Sequence, residues 1–405
     1  MRATLGQVDE CHSETGYMMR RVYLDYNATA PLLPEALEAA VPYYASVWGN
    51  ASSIHHQGRE ARVAVEDARE QVAQLIGADN PFDIVFTSGG TEAVNLAIRG
   101  YAYGNRARGQ HIITTRAEHP AALDTCRALQ QCGFDLTYLP VDGLGRVDPE
   151  VLAKSIRSQT ILLTLIHGNH EVGTLQPLAT LVEVAHAQGV PVHVDAVQAV
   201  GRVPIDVAAL GIDLLSLCGH KFGGPKGVGA LYIRRSIGAT MQAVVHGGHQ
   251  ERERRAGTED VPSIVALGKA CALMGQRLAD EGNRLEVLRD RLESEAFSRI
   301  PEVRSLGKSD DRLPNTTNIS FAGVKGEALV FNLDLLGIAV STGASCSSRQ
   351  GVPSQVLEAM GVPRQVSEGS VRFSLGWGTT DDNIERVLNV LPSMVERLRM
   401  LSPLP

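Results

Sequence analysis

The sequence predicts an α/β fold: a largely parallel sheet covered by helices on both faces, followed by a smaller α/β domain. Three observations carry this expectation. Between about residues 80 and 235, short β-branched apolar runs alternate with helical patterns. These runs are apolar throughout rather than at every second position, the signature of strands buried on both faces. After about residue 262 the rhythm changes to two long helical stretches flanking short strands.

The elements follow in order. Strands are expected at "DIVFTS" (83–88), "HIITT" (111–115), "DLTYLPV" (135–141), "TILLTLIH" (160–167), "VPVHVDA" (190–196), "DLLSLC" (213–218) and "GVGALYIRR" (227–235). In "QPLATLVEVAHAQG", Pro177 suits a first helical turn, Leu178, Leu181, Val182 and Ala185 share a face, and Gly189 suits the C-terminal end. Helices are expected near 263–297 and 380–402, with short strands at "NTTNISF" (315–321) and "SVRFSLG" (370–376). In the last helix Ile384, Val387, Leu388, Leu391, Val395 and Leu398 form one apolar stripe, with Thr380 as N-cap and Asp381 and Asp382 at the positive end of the dipole. The expected division is residues 1–21 as an extension, 22–262 as a large domain and 263–405 as a small one.

At 405 residues with 44% hydrophobic and 20% charged residues, the composition is that of a globular enzyme. A net charge of −7 argues against nucleic-acid binding. The longest apolar stretch, "ILLTLI" (161–166), has the length of a strand, not of a membrane span. The first twenty residues lack the apolar run of a secretion signal and carry Asp9, Glu10 and Glu14, so a cytoplasmic chain is expected, with Met18 or Met19 as alternative starts. Six cysteines show no CxxC spacing, which suggests neither zinc nor a disulfide framework.

Four segments can carry chemistry. In "SLCGHKFGGPKGVG" (216–229), Lys221 follows a strand and precedes glycine-rich chain; it is either a turn lysine or, if burial depresses its pKa, a Schiff-base lysine. Asp195 of "VHVDAVQ" falls at a strand's C-terminal end, where open α/β sheets bind ligands; it can cap a helix or hold a proton on a pyridine nitrogen. "TSGGTEA" (87–93) runs a strand into Gly89, Gly90 and Thr91 at a helix start, where free amides and a hydroxyl can receive a phosphate. His119 of "RAEHPAALDT" can stack on an aromatic ring or serve as a cap. A phosphate cradle, a stacking ring, a pyridinium partner and a Schiff-base lysine together describe a pyridoxal 5′-phosphate site.

With these residues in view, the chain resembles the NifS/IscS-type cysteine desulfurases of the class V aminotransferase superfamily from about Val22 to Leu401. The matching blocks include "VYLDYNATAP", "GNASSIHHQG", "FTSGGTEAVNLAI", "AEHPA", "EVGTLQP", "HVDAVQAVG", "GGHQERERRAGTED", "LPNTTNISF", "STGASCSS" and "VRFSLG". The resemblance implies a fold-type I enzyme, usually a homodimer, that takes sulfur from L-cysteine, releases alanine and passes sulfur to an acceptor such as an iron–sulfur scaffold or a thiolation protein. By position, Lys221 would bind the cofactor, Asp195 pair with its ring nitrogen and His119 stack on it and move protons. Gln198 would contact the phenolic oxygen. Gly90, Thr91 and His220 would hold the phosphate, with Thr258 reaching in from the other subunit, and Cys218 would line the site. Arg372 would clamp the substrate carboxylate and Cys346 would be the nucleophile that takes the sulfur; no metal is implied. Two positions depart from the pattern. His170 stands where the family shows asparagine near the ring oxygen and substrate carboxylate, and Trp377 stands where relatives often have arginine. His170 keeps open a related reaction: selenocysteine lyase, cysteine sulfinate desulfinase or aminotransferase.

Overall fold

The computed structural model describes residues 21–342 and 354–401. The Cys346 motif and the extension with its alternative starts lie outside the described residues.

Twelve strands occur among the described residues. In chain order they are β1 (Val22–Tyr23), β2 (Ile84–Thr87), β3 (His111–Thr115), β4 (Asp135–Leu139), β5 (Thr160–Ile166), β6 (Val192–Asp195), β7 (Leu214–Cys218), β8 (Gly229–Ile233), β9 (Val303–Leu306), β10 (Thr316–Phe321), β11 (Ile338–Ala339) and β12 (Ser370–Ser374). Seven form one sheet in the order β2-β8-β7-β6-β5-β3-β4. All neighbours pair in parallel except β8, which runs antiparallel to both β2 and β7. Strands β2, β3, β5, β6, β7 and β8 are buried along their whole length, as their unbroken apolar runs require. His193 of β6 bonds Thr164 of β5 at 2.7 Å and Ser216 of β7 at 2.9 Å, a cross-strand ladder inside the sheet.

The helix expected to start at Pro177 spans Leu178–Ala187, and Gly189 follows it at φ +71°. Its amide and that of Val190 cap the His186 and Ala185 carbonyls, a left-handed terminus that glycine enters without strain. Thr380 and Asn383 cap the last helix (Asp381–Leu401) reciprocally, each side chain accepting from the other's amide.

A second, antiparallel sheet has the order β12-β10-β9, and β1 pairs in parallel with β11. Its apolar cluster includes Leu24, Phe321, Phe373, Ile384 and Leu391, separate from the cluster under the large sheet. One 39-residue helix, Val261–Arg299, crosses between them. Its first half, through Met274, packs in the larger cluster, and its second half, from Leu285, in the smaller. No helix among the described residues is long and apolar enough to cross a membrane.

Candidate active site

The site forms where the parallel strands end. After β2 the chain turns at Gly89 and enters a helical run beginning at Gly90. A Cβ at Gly90 would stand 2.7 Å from a Val197 methyl, so only glycine lets this turn approach the loop after β6. After β3, His119 caps the helix Pro120–Gln131, its Nδ1 accepting the Ala121 amide at 3.1 Å. An accepting Nδ1 leaves the proton of the neutral ring on Nε2. After β5, the Asn169 side-chain Oδ1 accepts the Glu171 and Val172 amides at 2.9 and 3.1 Å, an Asx turn in which His170 lies between Asn169 and Glu171. Asp195 ends β6 and accepts the Val197 amide at 3.1 Å, and β7 runs into Cys218, His220 and Lys221.

These strand ends enclose a cavity of about 210 Å³. Gly90, Thr91, His119, His170, Asp195, Gln198, Cys218, His220 and Lys221 all line it. Thr258 does not: it is exposed on its own chain, while its neighbour Arg255 pairs with Glu92 of the Gly90 helix at 2.8 Å. Arg372, in the middle of β12, is not a lining residue either. It is buried against the site's edge, its terminal nitrogens donating to the His170 carbonyl and to Asp25, each at 2.8 Å. Trp377 is partly exposed and donates from its indole to the Pro31 carbonyl at 3.3 Å.

Electrostatics follow from burial. Asp195 is pushed up to about 6 by desolvation, opposed by the Val197 amide and the Lys221 charge. His119 is pulled down to about 4 by burial and then by Lys221; His220 is also lowered to about 4, again mainly by burial. His170 is lowered well below the usual histidine value by burial, His119, Arg372 and Lys221. The Cys218 thiol is pushed up to about 11 by burial, which keeps it unreactive at neutral pH.

Several residues that build the site were not singled out in the sequence. Asn27 is a hub. Its carbonyl accepts from Lys221 Nζ at 2.6 Å and Gln198 Nε2 at 2.9 Å, and its side chain bonds Thr316 and Arg202. Lys221 Nζ also donates to the Ala28 carbonyl at 2.9 Å. Arg202 is buried beneath them and pulled down to about 9 by desolvation; it donates to the Tyr26 and Lys221 carbonyls. Glu118 is fully buried and raised to about 8 by desolvation, with Thr115 donating to one carboxyl oxygen. The available signal was polarity out of place: Asn27 sits in "DYNATAP" and Arg202 directly after "HVDAVQAVG".

These donors suit pyridoxal 5′-phosphate. A buried carboxyl stands at the cavity wall, an imidazole lies against it, an amine rests on two carbonyls, and the Gly90 turn admits close approach. The fold and cavity define a pyridoxal-phosphate enzyme of fold type I. The chain belongs to the aminotransferase class-V family, whose model matches residues 22–387. It is 48% identical over 386 residues, 95% of this chain and 97% of the relative, to cysteine desulfurase IscS of Dictyoglomus turgidum. With that of Methanosarcina thermophila it shares 47% over 385 residues, 95% and 94% of the two chains. Among solved structures, a NifS-like protein superposes with a TM-score of 0.88 at 36% identity, covering 93% of this chain and all of that one. SspA in complex with cysteine gives 0.78 at 34%, covering 87% and 98%.

The buried groups set an acid limit to stability. A histidine lowered on folding contributes stability that is lost as pH falls from about 6.5 through its folded value. His119, His167, His170, His193 and His220 are of this kind. Glu118, Glu171 and Asp195 are raised and act in the opposite sense, losing stability as pH rises. With His111, also lowered by burial, six imidazoles against three carboxyls leave a net loss on acidification, about 1.4 kcal/mol per pH unit for each uncompensated proton. The thermal midpoint of the apoprotein is expected to fall steeply between pH 6.5 and 4.5; a flat profile there would contradict buried neutral imidazoles.

Proposed function

We infer that the chain is a pyridoxal-phosphate-dependent cysteine desulfurase that converts L-cysteine to L-alanine and takes the sulfur on Cys346 as a persulfide. The observation that carries this reading is the convergence of Lys221, Asp195, His119 and Gln198 on one cavity, in a chain nearly half identical to curated desulfurases. The reaction balances without an external oxidant. The substrate C–S bond breaks and an S–S bond forms on Cys346; the electron pair of the C–S bond stays with carbon, which takes up a proton to become the alanine methyl.

When bound, the cofactor supplies an electron sink that acidifies the substrate Cα–H. The residues of this chain do the rest. Asp195 holds a proton on the ring nitrogen, and Lys221 Nζ, aimed by the Asn27 and Ala28 carbonyls, moves the Cα proton. His119, neutral with its Nδ1 held by the Ala121 amide, presents its Nε2–H as a hydrogen-bond donor to the reacting groups. Gln198 and His170 orient the ring oxygen; Gly90, Thr91 and His220 hold the phosphate. An ordinary cysteine thiol is only a few per cent thiolate at neutral pH, so a base near Cys346 is needed to raise its reactivity.

Arg372 binds the substrate carboxylate through its planar fork. Arg372→Lys keeps the charge and loses the fork, so KM for cysteine should rise about 10–100-fold, the value of one or two charge-assisted hydrogen bonds. Steady-state kinetics check this; an unchanged KM would remove Arg372 from the substrate site.

The remaining parts of the reading are a homodimer, a cytoplasmic setting and a sulfur-acceptor protein of the iron–sulfur or thiolation kind. Thr258 supports the dimer, because it is exposed on its own chain and tied through Arg255 to the phosphate helix. Two separate apolar clusters support a large and a small domain, with the change between them falling inside the Val261–Arg299 helix, between Met274 and Leu285. His170 on the cavity wall favours one alternative, a related reaction of the same fold. Assaying cysteine, selenocysteine, cysteine sulfinate and alanine as substrates separates the two: the desulfurase reading expects cysteine to be the substrate that depends on Cys346.

A further inference from the structure

The described residues on either side of 343–353 are both fixed at the edge of the active site. On one side Ser341 exchanges backbone hydrogen bonds with Arg372, its carbonyl accepting at 2.7 Å and its amide donating at 3.2 Å. On the other side Ser354 donates its hydroxyl proton to Glu171 Oε2 at 2.5 Å and accepts the Leu357 amide at 3.0 Å. That second bond caps the short helix Gln355–Ala359. Glu171 is itself 5% exposed, and its backbone is pinned by Asn169 and Asn318. Its other carboxyl oxygen lies 3.7 Å from His170 Nε2. The His170 ring in turn lines the cavity and meets His119 edge-on, with ring centres 5.3 Å apart. Glu171 thus stands between the cavity-lining His170, at 3.7 Å, and Ser354, to which it is hydrogen-bonded.

We propose that Glu171 is a positioning residue for the sulfur-transfer step, tying Ser354, eight positions after Cys346 in the sequence, to the cofactor pocket through its carboxyl group. This rests on the desulfurase reading. Sequence spacing does not reveal it, because Glu171 and Ser354 are 183 residues apart.

The chemistry makes the tie depend on proton state. An ionised carboxylate accepts a shorter and roughly twice as strong a hydrogen bond from a hydroxyl as a neutral acid does. Burial raises Glu171 to about 7, against the lowering effects of Ser354 and the Arg372 charge. The groups that face the pair are accounted for from each side. Arg372, itself paired with Asp25, comes from β12, His119 from the Pro120 helix, and Lys221 from the turn after β7. His170 stays neutral beside them, so the proton that titrates near neutrality is the one on Glu171. The tie therefore tightens as pH rises through about 7.

Hydrogen–deuterium exchange of the resting holoenzyme, read on the peptide that covers 354–362 and corrected for the intrinsic pH dependence, tests the proposal without turnover. Protection in the wild type is expected to rise about fivefold between pH 6 and 8. In Glu171→Gln, which keeps the shape and an acceptor but cannot ionise, protection should stay constant across that range. Ser354→Ala should be weakly protected and equally flat, and Ser354→Thr, which restores the hydroxyl, should recover the slope. In turnover, Ser354→Ala should lower kcat about fivefold with KM for cysteine unchanged, because Arg372 is untouched. The same pH slope in wild type and Glu171→Gln would overturn the proposal. If Glu171→Gln fails to fold, a wild-type slope in Ser354→Ala would overturn it equally. A wild type that forms no persulfide on Cys346 would instead sink the functional reading, whatever the exchange data show.

Discussion

Lys221→Ala is expected to yield a folded protein that binds pyridoxal phosphate, loses it on dialysis and turns over cysteine about 10²–10⁴-fold more slowly, the usual share of a positioned general acid–base group. The amine is held by the Asn27 and Ala28 carbonyls, and Asn27 is fixed by Gln198, Arg202 and Thr316. Its aim is therefore a property of the whole pocket, and an exogenous amine should restore part of the rate by filling the same space. Lys221→Arg should not rescue, because a guanidinium stays protonated at any working pH and cannot take a proton from carbon. Absorption spectra before and after dialysis, together with single-turnover rates, check both points. A Lys221→Ala enzyme with wild-type turnover would mean that the Cα proton is moved by another residue.

Cys346→Ser is expected to leave the cofactor spectrum and cysteine binding intact while sulfur transfer falls on the order of 10³-fold or more, since a hydroxyl cannot serve as the sulfur-carrying nucleophile. The other thiols among the described residues offer no substitute. Cys126, Cys218 and Cys271 are buried, with thiols pushed above the ordinary range, and Cys132 lies exposed at the end of the helix that His119 caps. Cys218 is the instructive case: it lines the cavity, yet at about 11 it stays protonated. Sulfur released from the Cys346→Ser enzyme at the wild-type rate would move the reaction to the related chemistries that need no thiol.

Much of the large sheet was legible because burial on both faces leaves an unbroken apolar run. The run at 111–115 coincides with β3, and the run at 160–167 with β5 to within a residue. The direction of β8 was not legible. Its composition is that of the parallel strands of the sheet, and only the pairing with β2 and β7 shows the reversal. Strands β1, β9 and β11 also escaped, being two to four residues long and therefore without a measurable period. In the site, the lining residues were legible because each follows a strand directly. The residues that aim them were not. Asn27 reaches Lys221 across 194 positions and Glu171 reaches Ser354 across 183, and no local pattern records contacts of that range. His170 was visible as an unusual residue, but its neutrality follows only from what packs around it.

The most direct test of the account is single-turnover mass spectrometry of the holoenzyme with one equivalent of L-cysteine. The account predicts one molecule of alanine per active site and one added sulfur on the peptide containing Cys346, removable by a thiol reductant. Alanine without added sulfur on that peptide, or added sulfur on another cysteine, would contradict it.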